Sequence, residues 1–369
     1  MDHRQRTRRE LAPHAARISE KTAVVGFDGF VDTIVHPIAE RRGQGDQFTA
    51  MTTISEFGQR ILGAAGKSTN IELYPVMQKL GGNGPIMGNG LLAAGVQVHY
   101  VGALGKPAIH GVFAEFAGRA HVTSIAEPSL TTAAEFKDGK IMFGNTVSLD
   151  AITHEAIEAA CGRDAWRDLL GRADLIAMVN WTMIPNLTAV FETMLARDCP
   201  TLPPRADRIW FFDLADPEKR SRADLLIALR TIARFQAHGR VTLGLNLKEA
   251  QQVAAVLDIV AGPTDAPGLQ ALARTIRERL KIATVVVHPR ESAACATAEG
   301  TWWVPGPYCD APKITTGAGD HFNAGFVTGE LLGLPPEACL TVGVCFSGYY
   351  VRTAQSPSLN DVDAFLRDW

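Results

Sequence analysis

The sequence predicts an α/β fold in which a largely parallel sheet is covered by helices on both faces. Two observations carry this prediction. Apolar runs of strand length recur at Thr22–Phe27, Val96–Val101, Leu175–Val179, Ile209–Phe212, Val241–Leu245 and Ile282–Val287. Between many of them lie stretches of helical period, at Ile86–Ala94, Asn186–Ala196, Ala223–Phe235 and Leu269–Leu280. In the third of these, Leu225, Leu226, Leu229, Ile232 and Ala233 share one helical face. Strands alternating with helices are the pattern of a parallel sheet whose two faces are both buried. Size agrees, since 369 residues with 46% hydrophobic and 20% charged content suffice for a large core.

Charge and composition exclude several classes. A net charge of -3 offers no basic surface for nucleic acid, and no apolar run approaches membrane-spanning length. The Arg-rich start, Met1–Glu10, lacks the apolar core of a signal peptide and reads as a frayed end or surface helix within an N-terminal extension, 1–20. The six cysteines form no Cys-x-x-Cys pair and no zinc-spaced cluster with histidine. They read as free thiols of a cytoplasmic protein, with Cys295, Cys339 and Cys345 in apolar runs that place them in the core.

Taken in chain order, the first strand ends in Gly26-Phe27-Asp28-Gly29-Phe30-Val31-Asp32, and carboxylates there can accept from two hydroxyls of a ligand or cap a turn. The polar stretch Asp32–Leu80 breaks the alternation. Gly81-Gly82-Asn83-Gly84 then opens a helix, and paired glycines let either a ligand or the helix start come close to the backbone. Ala133–Phe136, the turn Lys137–Lys140 and Ile141–Phe143 form a hairpin signal. Asn180, Asp213 and Asn246 each follow a strand-like run, so all three converge on the strand C-terminal edge, where such sheets bind ligands. Asp216 with Pro217 reads as a helix start. Asn246-Leu247-Lys248-Glu249 reads equally as a capping box and as a hard-oxygen pair suited to Mg²⁺. Leu62–Ser68 resembles a P-loop, but Ile61 stands where the first glycine is required. His110 and His121 have no metal-ligand company, and Ala338–Tyr350 reads as a buried helix.

The strongest signal is Thr315-Thr316-Gly317-Ala318-Gly319-Asp320, followed by the apolar helix through Phe326, Leu331 and Leu332. A helix N-terminus presents unpaired N–H groups and partial positive charge, a receptor for phosphate or developing negative charge. Asp320 beside it is placed to take a proton from a hydroxyl attacking that phosphate.

This segment resembles the C-terminal signature of the ribokinase-like (PfkB) carbohydrate kinases, through Thr315, Gly317, Ala318, Gly319, Asp320, Phe322, Gly325 and Phe326. Gly81-Gly82 resembles the N-terminal signature, and Asn246-x-x-Glu249 reproduces a third motif, all in the family's order. The resemblance implies a three-layer α/β sandwich with a mainly parallel sheet and a small β lid, its segments at about 32–50 and 131–149 of a kinase domain 21–369. It implies ATP- and Mg²⁺-dependent phosphorylation of a hydroxymethyl group of a sugar or nucleoside. Asp320 would be the general base, with Gly317, Ala318 and Gly319 in the anion hole. Asp32, Asp28, Gly81, Gly82, Asn83 and Asn180 would bind the acceptor. Asn246, Glu249, Asp213, His288, Arg290, Thr315, Val342 and Phe346 would serve the nucleotide side, Asn246 and Glu249 holding Mg²⁺ largely through water. A homodimer through the lid is also implied.

The sequence departs from the family pattern in three places. Ile86 stands where an Asn is usual, and Asn83 is the nearest amide to replace it. Val287-His288-Pro289-Arg290 replaces a Gly-containing loop, and Ile314 replaces an Asp associated with a monovalent cation in some members. These departures keep two alternatives open, a nucleoside kinase of the same fold and a sugar- or nucleotide-sensing homologue without turnover.

Overall fold

Burial on both faces is what the six strand-like runs share, and a computed structural model, describing residues 2–369, turns all six into strands. In chain order the strands are β1 (Thr22–Phe27), β2 (Phe30–Arg41), β3 (Phe48–Ala50), β4 (Leu73–Gly81), β5 (Gln97–Gly102), β6 (His121–Ser124) and β7 (Ser129–Phe136). They continue with β8 (Gly139–Asn145), β9 (Leu175–Met178), β10 (Ile209–Asp213), β11 (Arg240–Asn246), β12 (Thr284–His288), β13 (Ser292–Ala296) and β14 (Thr301–Pro305). Nine form one sheet in the order β14-β13-β12-β11-β10-β9-β1-β5-β6, parallel from β12 to β6, with β13 and β14 antiparallel at one edge. Helices fill both faces. Trp166, Ile232 and Val253 belong to the core on one side, and Leu91, Val327 and Leu340 to the core on the other.

A second, five-stranded sheet stands apart. The long β2 pairs with β7 along one edge and with β4 and β3 along the other, and β8 closes on β7. The hairpin lies where its turn signal placed it, with Phe136 opposite Gly139. The stretch Asp32–Leu80, in which only about 32–50 was expected to join the lid, supplies most of β2, β3, a helix Ile54–Leu62 and a further lid strand, β4. Pro75 hid β4, because proline donates no ladder hydrogen bond; the pairing with β2 slips between Ile34 and Val35, and such irregularities are where strands admit proline.

The N-terminal residues form a docked helix, His3–Leu11, rather than a frayed end: Thr7 and Leu11 are buried, Arg6 pairs with Glu337 and Arg8 with Asp363. The P-loop look-alike is an exposed turn after the helix Ile54–Leu62. His110 caps a short helical turn through the Val112 N–H, and His121 stacks on His99. The cysteines are free, and Cys199, Cys295, Cys339 and Cys345 are buried. No described helix is long and apolar enough to cross a membrane.

Candidate active site

The chain leaves β1 for β5 on one side, while β9 continues the sheet on the other, so the strand order reverses at the β1/β9 boundary. Loops diverge there and leave a crevice beyond the strand ends. Over it stand the N-termini of two helices, Asn83–Ala94 and Ala318–Leu331. The cleft measures about 630 Å³ and is lined by Asn83, Asp213, Asn246, Glu249, Thr315 and Asp320, among others.

Asp320 lies in the first turn of its helix, after Ala318 and Gly319, with Gly317 as the cap. The cap has φ 90°, a left-handed conformation, and a Cβ there would sit 3.0 Å from Ile86 Cγ2. Glycine is therefore required at that position. Gly319 is different. A Cβ on it would meet only His288, at an ordinary 3.5 Å, so the protein leaves open space above that N–H. Of the first-turn N–H groups, that of Ala318 donates to the Thr315 carbonyl at 3.3 Å, while Gly319 and Asp320 line the cleft, and N–H groups at a helix start are suited to an anion.

The carboxylate of Asp320 accepts from Asn83 Nδ2 at 2.8 Å, so the amide beside Ile86 does reach the site. Burial pushes the Asp320 carboxyl up to about 8; the Asn83 bond opposes the rise, and Asp28 and Glu249 add to it. Asp213, also in the cleft, is held well above its ordinary value by burial and then by Glu249 and Asp320. Asn323 Nδ2 bonds one Asp213 oxygen at 2.9 Å, while the other, Oδ1, is buried without a partner. Asn323 escaped notice in the sequence. The spacing Asp320-x-x-Asn323 was its signal, since residues three apart share a helical face.

Asn246 and Glu249 form a complete capping box. Asn246 Oδ1 accepts from the Glu249 N–H at 3.0 Å, and Glu249 Oε2 accepts from the Asn246 N–H at 2.8 Å. Glu249 Oε1 accepts from the Asp216 N–H. Both residues nevertheless line the cleft. The set of Asp213, Asn246 and Glu249 is all hard oxygen, and the unpartnered Asp213 Oδ1 gives a divalent cation something to bind, so these residues fit Mg²⁺. His288 stacks on Phe322 and is held neutral by burial, its value drawn down to about 4. Arg290 is exposed on the cleft rim with no ion-pair partner among the described residues.

Asp28 and Asn180 do not line the cleft. Asp28 is 0% exposed and accepts from the Asn83 N–H, the Gly84 N–H and Asn180 Nδ2 at 2.9, 2.8 and 2.6 Å. It caps the Asn83–Ala94 helix, an internal role in place of the substrate contact implied for it, while Asn180 is buried beside it with its Oδ1 unpartnered. Asp32 lies on the lid strand β2, bonded to Thr131 of β7, and burial raises its carboxyl. It sits against Gly81, where a Cβ would come within 2.4 Å of its carboxylate. Gly82 adopts φ 100° at the helix start.

Val342 and Phe346 are also corrected. Both are 0% exposed and pack into the core, Phe346 against Gly325 of the signature helix. The same helix, Pro336–Thr353, instead presents Val344, Ser347, Gly348 and Val351 to the cleft. Those positions recur at i, i+3, i+4 and i+7, a different face from 342 and 346. The lid reaches this floor: Lys140 of β8 donates to Thr316 Oγ1.

A nine-stranded sheet with a lid and an acidic residue at a glycine-rich helix start defines a small-molecule kinase of the ribokinase fold, and solved structures agree on the fold. The ribokinase of Thermotoga maritima superposes with a TM-score of 0.63 at 17% identity, over 94% of this chain and 99% of that one. The fructokinase of Xylella fastidiosa, solved with bound ATP, gives 0.64 at 15%, over 94% and 98%. The nucleoside kinase of Methanocaldococcus jannaschii gives 0.62 at 13%, over 95% and 99%. A ketohexokinase of Haloferax volcanii is 27% identical over 359 residues, 97% of this chain and 93% of that protein. The family model described as prokaryotic ketohexokinase matches residues 1–369. The chain belongs to that family and is a carbohydrate kinase.

Proposed function

We propose that the protein transfers the γ-phosphoryl group of ATP to a hydroxymethyl group of a ketohexose, with Asp320 as general base. The observation that carries this is the Asp320 carboxylate, which opens into the cleft at a helix N-terminus and is bonded by Asn83 of the Gly-Gly segment. The ketohexose acceptor rests on the family match and on the Haloferax volcanii ketohexokinase. ATP as donor rests on the fructokinase solved with ATP and the Cryptococcus neoformans ribokinase solved with ADP.

In this reading the ionised Asp320 takes the proton of the acceptor hydroxyl as its oxygen forms the new bond to phosphorus. The bond from phosphorus to the β–γ bridging oxygen breaks, and ADP leaves with that electron pair. The first-turn N–H groups bind the charge of the moving phosphoryl, and fixed dipoles of this kind carry much of the catalysis in phosphoryl transfer. Mg²⁺ would supply neutralising charge to the donor phosphates, held largely through water by Asn246, Glu249 and Asp213. Arg290, on the cleft rim, would contact the nucleotide phosphates. Asp32 and the Gly81-Gly82 turn would bind the sugar.

The test is ADP formation with Mg²⁺ across ketohexoses, aldohexoses, pentoses and nucleosides. The reading requires a ketohexose, D-fructose among them, to give the largest kcat/KM. A nucleoside or pentose in first place overturns the acceptor, and ATP binding without turnover on any acceptor favours a sensor. The lid homodimer stays part of the reading because Met77, Leu130, Met142 and Phe143 are apolar and exposed on the lid. A monomeric mass by light scattering at assay concentration removes it.

A further inference from the structure

The residue next to the proposed base is a histidine set behind the cleft wall. His321 is 1% exposed and does not line the cleft, yet both ring nitrogens are engaged. Nδ1 lies 2.8 Å from the Gly317 carbonyl and Nε2 lies 2.8 Å from Ser356 Oγ. Its ring stacks on Tyr350 with centroids 3.6 Å apart and planes 14° apart. Tyr350 in turn donates its hydroxyl to the Thr316 carbonyl at 3.2 Å. Two consecutive carbonyls of the signature turn are thus held by two stacked rings.

Each carbonyl shares a rigid peptide plane with the N–H of the next residue. The Thr316 carbonyl is coplanar with the Gly317 N–H, and the Gly317 carbonyl, which also accepts the His321 N–H at 3.0 Å, with the Ala318 N–H, which donates to the Thr315 carbonyl at 3.3 Å. A bond to the carbonyl therefore fixes the direction of the N–H and polarises it. A carbonyl can only accept, so His321 Nδ1 carries the proton. The neutral ring then has a lone pair at Nε2, which takes the Ser356 hydroxyl proton. Burial, which draws the imidazole down to about 4, agrees with a neutral ring.

We propose that His321, with Tyr350 and Ser356, is a positioning residue that holds the Thr316–Gly317–Ala318 peptides, and through them the helix start at Gly319 and Asp320, in the orientation that receives the transferring phosphoryl group. This rests on the reading of Asp320 and the turn as the phosphoryl-transfer site. The device acts at a distance from both substrates, through the backbone of the turn alone.

The experiment compares His321→Phe, His321→Asn and Tyr350→Phe with wild type and Asp320→Asn, measuring kcat, KM for D-fructose and ATP, and Tm. Phenylalanine keeps the ring stack and loses the donor; asparagine places an amide N–H near the position of Nδ1. The expected result for His321→Phe is a kcat lower by about tenfold to a hundredfold, with KM and Tm near wild type. Asparagine at 321 should recover turnover to within about threefold of wild type. Wild-type kcat in His321→Phe overturns the inference, as does an equal loss in the Asn and Phe variants that follows Tm. Should His321→Phe fail to fold, Tyr350→Phe decides: a lowered kcat at unchanged Tm supports the strap, and an unchanged kcat refutes it. An inactive Asp320→Asn beside a fully active His321→Phe removes this inference alone, whereas an active Asp320→Asn removes the reading of the site and the inference with it.

Discussion

The floor and the lid of the cleft are built in opposite ways. The floor is the N-terminus of the helix Ala318–Leu331, in which every residue from Asp320 to Leu331 is buried. Its turn is tied by Tyr350, by His321 and by the Asn83 amide on Asp320. The lid is buried along its central strands β2 and β7 but open at its flanks; β8 has no buried residue, and β4 has one, Gly81. The difference separates two tasks. The signature turn is fixed by the core before substrate arrives, whereas the flanking lid strands β4 and β8 have few buried contacts, the kind of element that opens at low cost.

The variant expected to damage turnover most strikes the floor. Gly317→Ala forces an L side chain into φ 90° and against Ile86, a strain of about 1–3 kcal/mol. By displacing anion-hole donors it should lower kcat by on the order of a hundredfold. Near-normal kcat in steady-state assays would show that the turn need not be rigid. Next comes a pair on one helix. Phe346→Ala should destabilise by about 3–5 kcal/mol in denaturant melts, while Ser347→Phe, which fills the cleft, should raise the ATP KM about tenfold with little change in stability. The reverse pattern would put the core and nucleotide faces the other way round.

The lid predicts a smaller loss. Lys140→Ala removes its contact with Thr316, and kcat/KM should fall by about tenfold, while an exposed pair of this kind contributes about 0–1 kcal/mol to stability. An unchanged kcat/KM would uncouple lid from floor. The smallest effect is on the stability of the floor itself. Asp320 is raised from 3.8 to about 8, so its stabilising contribution is full below the lower value and is lost as pH rises through the upper one. Asp320→Asn removes that penalty. Its Tm should match wild type near about pH 4 and exceed it by about 2 °C or more near about pH 8. A gap that shrinks with rising pH would mean that Asp320 is not the strained carboxyl.

Much of this arrangement was legible in the residues. The glycine-rich turn with Asp320 was legible as a helix start, which the structure places on the cleft, and the strand-end rule brought Asp213 and Asn246 to the same cleft. Asn246 and Glu249 were read two ways, and the capping geometry leaves both residues on the cleft. The rest depended on facts a linear string does not carry. Asp28 and Asp32 are four apart, yet one is sealed under a helix and the other lies on a lid strand, a difference fixed by how β2 turns away from β1. Val342 and Phe346 have the right chemistry for an adenine wall, but helix rotation is set by packing against Gly325, which no pattern within 338–350 reveals. His321 was invisible for the same reason, since its partners Ser356 and Tyr350 come together only through the turn after the Pro336–Thr353 helix.

The most direct test of the central claim is the single-turnover rate of phosphoryl transfer from ATP to D-fructose in wild type and Asp320→Asn, with ATP affinity measured in parallel. Loss of a general base predicts a rate lower by about 10²–10⁴-fold with ATP affinity near wild type. A mutant that transfers phosphate at a rate within a few-fold of wild type would contradict the assignment of Asp320, and with it the account of the floor as a site built around a buried base.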